Sequence, residues 1–284
     1  MMKGITMNQI ESVSDLIKMI EDNTNVYPSS KFLYRGESKT DYRLLPSLLR
    51  KTVINGKEKE LYQNSELQIL QEFAAEASSY LPNIEKNMFE CMEYAQHYGV
   101  PTRLLDWTSN PLIALYFACQ TNQDSDGQLY FLNQTAYKTM TFENIHQTLK
   151  EQIIGILYRK QGFRYPKIFH PYYIDTRMKA QESQFMAWGS QQEDLEKLIS
   201  SINVLPMVDR VWISGSMKSY GSEAIVPLEK VIIPNYKKKS LLRQLDGLSI
   251  NRASVFPGLD GIGQSIAYRN NIHNIDRWYD LQIE

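Results

Sequence analysis

Leu16, Ile17 and Ile20 share one side of a 3.6-residue period, and that spacing predicts a first helix from Val13 to about Glu21. Ser12 stands at the N-cap and Asp15 three positions on, where a carboxylate suits the helix dipole. After the turn residues Tyr27-Pro28-Ser29-Ser30, the apolar run Phe32-Leu33-Tyr34 predicts a strand ending at Arg35-Gly36. Leu67, Leu70, Phe73 and Ala77 recur at helical intervals, predicting a long helix from about Lys57 to Tyr80 that Pro82 closes. The next helix is predicted over about Ile84 to Tyr98, with Gly99 as a left-handed cap and Pro101 beyond it. A strand-like Arg103-Leu104-Leu105 then leads into a polar turn, Asp106 to Ser109. Ser109 or Asn110 caps a further helix with Pro111 at its first position and Leu112, Leu115, Tyr116 and Cys119 on its buried side.

Beyond that helix the pattern shifts. Gln128 to Leu132, Lys167 to Phe169, Phe185 to Ala187, Val211 to Ile213 and Lys230 to Ile233 are short and rich in β-branched or aromatic residues, as strands are. One helix, about Phe142 to Leu157, interrupts them; Lys237 to Leu245 is predicted helical with Gly247 as its stop, and Gly261 to Asn270 as a last helix. A helix-rich first half followed by a strand-rich second half predicts an α+β fold with a split, mostly antiparallel β core. No repeat or linker divides the chain, so residues 1–30 read as a helical lead-in to one globular unit over 31–284.

Composition changes this picture little. With 43% hydrophobic and 22% charged residues in 284, the chain can bury a core and is not of the disordered class. A net charge of -1 gives no global attraction to nucleic acid or anionic lipid. The two cysteines, Cys91 and Cys119, make no disulfide framework, which points to the reducing cytoplasm. The first residues lack the apolar core of a secretory signal, and the apolar stretch from Pro111 to Cys119 is far short of the roughly 20 residues a membrane span needs.

Phosphate-loop, dinucleotide-fingerprint, zinc-hydrolase and serine-hydrolase motifs are absent from the sequence. The four histidines are scattered, and two cysteines do not make a zinc site, so no metal is expected. Three constellations remain. Arg35-Gly36 puts a permanent cation, suited to a phosphate or carboxylate, beside a residue that admits close approach to the backbone. A structural ion pair next to a turn glycine is the plainer reading. The second is Asp106-Trp107-Thr108-Ser109, which offers an acceptor, a flat apolar wall and two hydroxyls before a helix N-terminus. A capped helix with a buried Trp explains it equally. Glu93 and His97, one turn apart on the preceding helix, face the same way. Third is the polar approach to a strand, Asp175 to Phe185, where Gln181 or Glu182 can take a ribose hydroxyl or stabilise a developing cation.

In this order the segments resemble the FRG-domain family, named for an N-terminal (F/Y)-R-G motif, here Tyr34-Arg35-Gly36. Ala95-Gln96-His97-Tyr98-Gly99, the run from Val100 through Arg103 and Asp106 to Ser109, the segment Arg177 to Phe185, and Phe256-Pro257-Gly258-Leu259-Asp260-Gly261 carry the likeness, from about Phe32 to Ile266. A more distant similarity, to ADP-ribosyltransferases, lies in the layout: a strand-end Arg-Gly, then a hydroxyl-bearing turn before a helix, then an acidic or Gln residue on a later strand. That similarity implies an ADP-ribosyltransferase-like fold with NAD as substrate. Arg35 would bind the pyrophosphate or ribose side, Gly36 would clasp the nicotinamide amide, and Ser109 would orient Arg35. Gln181 or Glu182 would hold the ribose 2′-hydroxyl, with Glu93, His97, Arg103, Asp106, Trp107 and Thr108 completing the pocket. Gln181 occupies the position where a carboxylate would better stabilise the cation, which bears on catalysis rather than on fold.

The resemblance therefore implies transfer of ADP-ribose to a macromolecular acceptor or hydrolysis of NAD, as bacterial toxins and anti-phage effectors of this layout do. Two alternatives stand beside it. One is a non-catalytic nucleotide- or phosphate-binding module using Arg35, Arg103 and the helix N-terminus. The other is a nucleic-acid-directed enzyme using Arg43, Arg50, Lys51 and Lys237 to Lys239, which the charge balance does not favour.

Overall fold

The computed structural model describes residues 9–60, 62, 65–141, 147–158, 162–189, 191–201, 209–213, 216–220 and 227–270. In chain order these form α1 (Val13–Val26), β1 (Phe32–Glu37), β2 (Lys51–Ile54), β3 (Lys57–Glu60), α2 (Glu66–Glu76), α3 (Met88–His97), β4 (Leu104–Thr108) and α4 (Pro111–Cys119). There follow β5 (Gly127–Asn133), α5 (Gln134–Met140), α6 (Leu149–Leu157), β6 (Lys167–Phe169), α7 (Thr176–Ala180), β7 (Ser183–Ala187) and α8 (Leu195–Ser200). The last elements are β8 (Asp209–Ile213), β9 (Ser216–Tyr220), β10 (Leu228–Ile233), α9 (Asn235–Gly247), α10 (Arg252–Val255) and α11 (Leu259–Asn270).

A six-stranded sheet in the order β10-β5-β1-β4-β7-β6 organises the molecule, with every neighbouring pair antiparallel. The fold is α+β. Its pairings are unequal. β1 meets β5 along its whole length, and β4 meets β7 over five residues, but β1 and β4 touch at Tyr34↔Thr108 alone. Beyond that single pair the two strands diverge, so the sheet is two three-stranded halves joined at one point.

The helices divide the same way on one face. Against β10-β5-β1 pack α1, α4 and α9, through Leu16, Leu115, Leu241 and Leu245 on Tyr34, Leu129 and Phe131. Against β4-β7-β6 pack α2, α3 and α6, through Leu70, Met92 and Ile153 on Leu104 and Phe185. The opposite face is continuous: Leu33, Leu105, Trp107, Tyr130, Leu132, Met186 and Trp188 come from both halves and share one apolar cluster with Leu44, Tyr137 and Leu195. Strand alternation makes this possible, since Tyr34 and Leu33, or Phe131 and Tyr130, point to opposite sides. The N-terminal lead-in belongs to the same body: Gln9 bridges Ile232, and Ile10 is fully buried.

The first helix carries the expected capping box between Ser12 and Asp15, and runs on to Val26. Asn110, not Ser109, caps α4, accepting from the N–H groups of Leu112 and Ile113. Several expectations are corrected. The helix placed over Lys57 to Tyr80 is a β-hairpin followed by a shorter helix. Asn55 and Gly56 both take left-handed conformations (φ 52° and 72°), a two-residue turn pairing Lys51–Ile54 with Lys57–Glu60, and Ser65 then caps α2. The helix placed over Ile84 to Tyr98 begins at Met88, where Asn87 caps it, after a single 3₁₀ turn. Asp106 to Thr108 are strand rather than turn. The helix placed over Phe142 to Leu157 starts at Leu149 behind Thr148; residues 142–146 lie outside the described residues. Gly247 ends α9 from inside it, and the left-handed residue just beyond is Ser249 (φ 63°).

Candidate functional site

Where β1 and β4 diverge, a cleft of about 300 Å³ opens on the face that the helices leave divided. Tyr34, Arg35, Gly36, Glu37 and Ser38 form one side with Ala114 and Phe117 of α4. Gln96 and His97 of α3, Asp106 and Thr108 of β4, and Arg177, Gln181 and Ser183 near α7 and β7 form the other. The cleft is thus the seam between the two half-sheets. Its size is at the lower end for a small-molecule site.

Arg35 spans the seam. Its Nη1 donates to the backbone carbonyl of Asp106 on the facing strand, while Nε and Nη2 each sit 2.7 Å from Glu37 Oε1. Residues 35 and 37 are two apart on β1 and so lie on one side of it. Asp106 is held in turn: Gln96 Nε2 donates to its Oδ2 at 2.8 Å, and Thr102 Oγ1 donates to Gln96 Oε1 at 2.6 Å. Enclosure in the cleft raises the Asp106 pKa above the usual carboxylate value, and Arg35, the Gln96 hydrogen bond and Arg177 oppose that shift. The exposed surface of Asp106 faces the cleft, so a ligand would meet this carboxyl directly.

Gly36 has a structural duty. A Cβ there would lie 1.8 Å from the carbonyl oxygen of Ala114 and 2.7 Å from the Ala118 nitrogen, so the glycine lets α4 lie against β1. Arg177 is the cation that the motif reading passed over. It makes no ion pair among the described residues, its Nε is buried without a hydrogen bond, and its guanidinium lies 4.8 Å from the Phe256 ring centre. Arg252 stacks on the same ring at 4.8 Å, and Phe117 meets it edge-on.

Other expected site residues fall elsewhere. Arg103 is buried behind the seam, its Nε 2.6 Å from Glu66 Oε2, its backbone N–H on Glu66 Oε1, and its Nη1 on the carbonyls of Trp188 and Gly189. That guanidinium holds α2 to the sheet. Trp107 borders the cleft, but its side chain is buried in the cluster on the far face, so it is no stacking wall. Ser109 Oγ donates to Glu182 Oε2 at 2.7 Å, Asn110 Nδ2 donates to Glu182 Oε1 at 3.0 Å, and neither Ser109 nor Glu182 lines the cleft. Ser109 therefore does not orient Arg35. With Glu182 in a left-handed conformation (φ 46°), the trio clasps the β4–α4 junction to the α7–β7 junction. The α4 N-terminus has Asn110 on it, which leaves it a weaker anion site than expected. Gln181 does line the cleft: its Nε2 donates to Val255 O at 3.1 Å, and its own carbonyl accepts from Thr108 Oγ1 at 2.7 Å.

Glu93 is buried one turn before His97, its Oε1 without a hydrogen-bond partner among the described residues. Burial pushes its pKa up to about 7, and the Tyr172 N–H opposes the shift only in part. Burial likewise raises the thiols of Cys91 to about 11 and Cys119 to about 12, which makes them poor nucleophiles. Among the described residues no group of three or more His, Cys, Asp or Glu side chains is arranged to hold a metal ion. No described helix is long and apolar enough to cross a membrane.

The family described as FRG domain matches residues 30–127, about a third of the chain. That match takes in the whole β1 side of the cleft together with α3, β4 and α4, while Arg177, Gln181 and Ser183 lie beyond it. Of the likeness expected from about Phe32 to Ile266, the family match covers the part that ends near the start of β5. No curated protein and no solved structure matches the chain.

Proposed function

We propose that the seam cleft binds NAD and that the protein cleaves the nicotinamide–ribose bond, passing ADP-ribose to a macromolecular acceptor or to water. The observation that carries this reading is the single Tyr34↔Thr108 pairing, which splits the sheet and lets Arg35 and Asp106 face one opening from two strands. The distant ADP-ribosyltransferase likeness asks for a split β core of this kind. A dinucleotide needs cations for its pyrophosphate, and Arg177, with Arg35 across the seam, supplies them. The nicotinamide and ribose need hydrogen-bonding partners, available in Gln96, Thr108, Gln181 and Ser38. Bond cleavage builds positive charge on the ribose, and preorganised carboxylates are the main means of stabilising it. Asp106 and Glu37, rather than Glu182, are the carboxylates at the cleft.

Glu182, clasped by Ser109 and Asn110 outside the cleft, favours a second reading. In it the same cleft holds a phosphate-bearing nucleotide without consuming it. Incubation of the purified protein with NAD, followed by chromatography for nicotinamide, separates the two. The first reading expects nicotinamide to accumulate; the second expects NAD to raise the melting temperature while remaining intact. Neither nicotinamide release nor a thermal shift would remove both. An NAD-consuming activity would also make expression toxic to the host cell, the behaviour of a toxin or anti-phage effector, and substitution of Asp106 would relieve that toxicity.

A further inference from the structure

We propose that His97 and Asp175 form a general-base pair on the cleft wall, which takes the proton from the group attacking the ribose. This rests on the NAD reading above and deepens it. His97 leaves the last turn of α3 just before Gly99 (φ 81°) ends the helix, and its side chain is 8% exposed where it lines the cleft. Its Nε2 contacts Asp175 Oδ2. The other oxygen of that carboxylate, Oδ1, caps α7 by accepting from the Met178 N–H at 2.9 Å. Asp175 is therefore fixed by two different elements and cannot turn away from the ring. The Tyr98 ring packs edge-on against the imidazole, with centroids 5.0 Å apart.

A carboxylate so placed holds the proton on Nε2 and leaves the lone pair on Nδ1, which makes no hydrogen bond among the described residues. This is the geometry by which an Asp–His pair prepares a base, whichever ring nitrogen the carboxylate takes. Asp175 is a positioning residue and His97 the catalytic one. In the step assigned to them, the bond between ribose C1′ and the nicotinamide nitrogen breaks, and its electron pair leaves with neutral nicotinamide. An oxygen of water or of an acceptor hydroxyl forms the new bond to C1′, and its proton passes to His97 Nδ1 and then to solvent. No oxidant or reductant takes part.

The test uses the full chain, NAD and water as the attacking group. His97→Ala is expected to lower kcat for ADP-ribose formation about 100-fold, the usual scale of general-base assistance, with NAD affinity within about twofold of wild type. Added imidazole restores part of the rate. Asp175→Asn keeps a good helix cap but no longer selects the tautomer, and is expected to lower kcat about tenfold or more with KM unchanged. Should His97→Ala not fold, His97→Gln retains an N–H for Asp175 and serves in its place. If wild type consumes NAD and the His97 variants stay within about threefold of it, or lose rate only through weaker NAD binding with no imidazole rescue, the pair is not a base. Wild type that does not consume NAD, whether or not it binds it, overturns the cleavage reading itself, and this proposal falls with it.

Discussion

The two faces of the sheet are built on opposite plans. On one, a single apolar cluster from Leu33 to Trp188 runs across both halves and locks them together. On the other, the helices form two separate clusters, and the polar seam between them is the cleft. One face supplies rigidity, which frees the other to leave a strand edge open and to gather Asp106 and Arg177 there, with Arg35 and Glu37 reaching the opening from the other side of β1. A split sheet would fall apart without its continuous back. The comparison also explains why an arginine in a motif is not by itself a ligand contact: Arg103 is matched by Glu66 and two carbonyls behind the seam, while Arg177, on it, makes no ion pair among the described residues.

Substitution on the continuous face should cost the most. Trp188 is fully buried there, its Nε1 donating to the Glu193 carbonyl, and Trp188→Ala is expected to destabilise the fold by about 3–5 kcal/mol in urea unfolding. A loss below about 1 kcal/mol would mean the back of the sheet does not hold the halves together. On the divided face, Gly36→Ala drives a methyl into the Ala114 carbonyl and is expected to cost about 3 kcal/mol, the upper end for overpacking. A tolerated alanine would instead mean that α4 can move off β1.

Glu93, a buried residue of α3 on the divided face, tests it through pH. Its folded pKa, about 7, is above its unfolded value of 4.5, so the native state binds the extra proton between those limits. Stability contributed by the neutral carboxyl is therefore lost as pH rises through about 7. Glu93→Gln should stabilise the protein by about 2 kcal/mol at pH 8 and by nearly nothing at pH 4, read from melting curves at the two pH values. Equal effects at the two pH values would place the charge in a solvated site. Arg177→Ala sits at the small end for stability. With no ion pair to break among the described residues and only its stacking on Phe256 to lose, its effect on unfolding is expected to stay within about 1 kcal/mol.

The fold was legible wherever a local rule acted alone. Ser12 with Asp15, Pro111 behind Asn110, and the short runs at β5, β6, β7 and β10 each declare their element. The stretch after Ile54 misled because Leu67 to Ala77 is helical and no apolar position stops the pattern running backwards. Asn55-Gly56 was the available signal, since that pair favours a hairpin turn and the alternating charges of Lys57 to Glu60 have no helical stripe. The site was half legible. The sequence points to Arg35, His97, Asp106, Thr108 and Gln181, which all reach the cleft. It could not separate them from Arg103, Ser109 and Glu182, because that depends on which buried partner each meets across the sheet. Nor could spacing assign Arg177 to the cleft, since it becomes a neighbour of β1 only when two strands part after one shared pair.

Calorimetric titration of NAD into wild type and Arg177→Ala tests the central claim most directly. A seam that holds the dinucleotide's phosphates gives saturable one-to-one binding by wild type, weakened about 10- to 100-fold in the variant, as loss of one charge-assisted contact requires. Absence of binding to wild type, or equal affinity in both proteins, would contradict it.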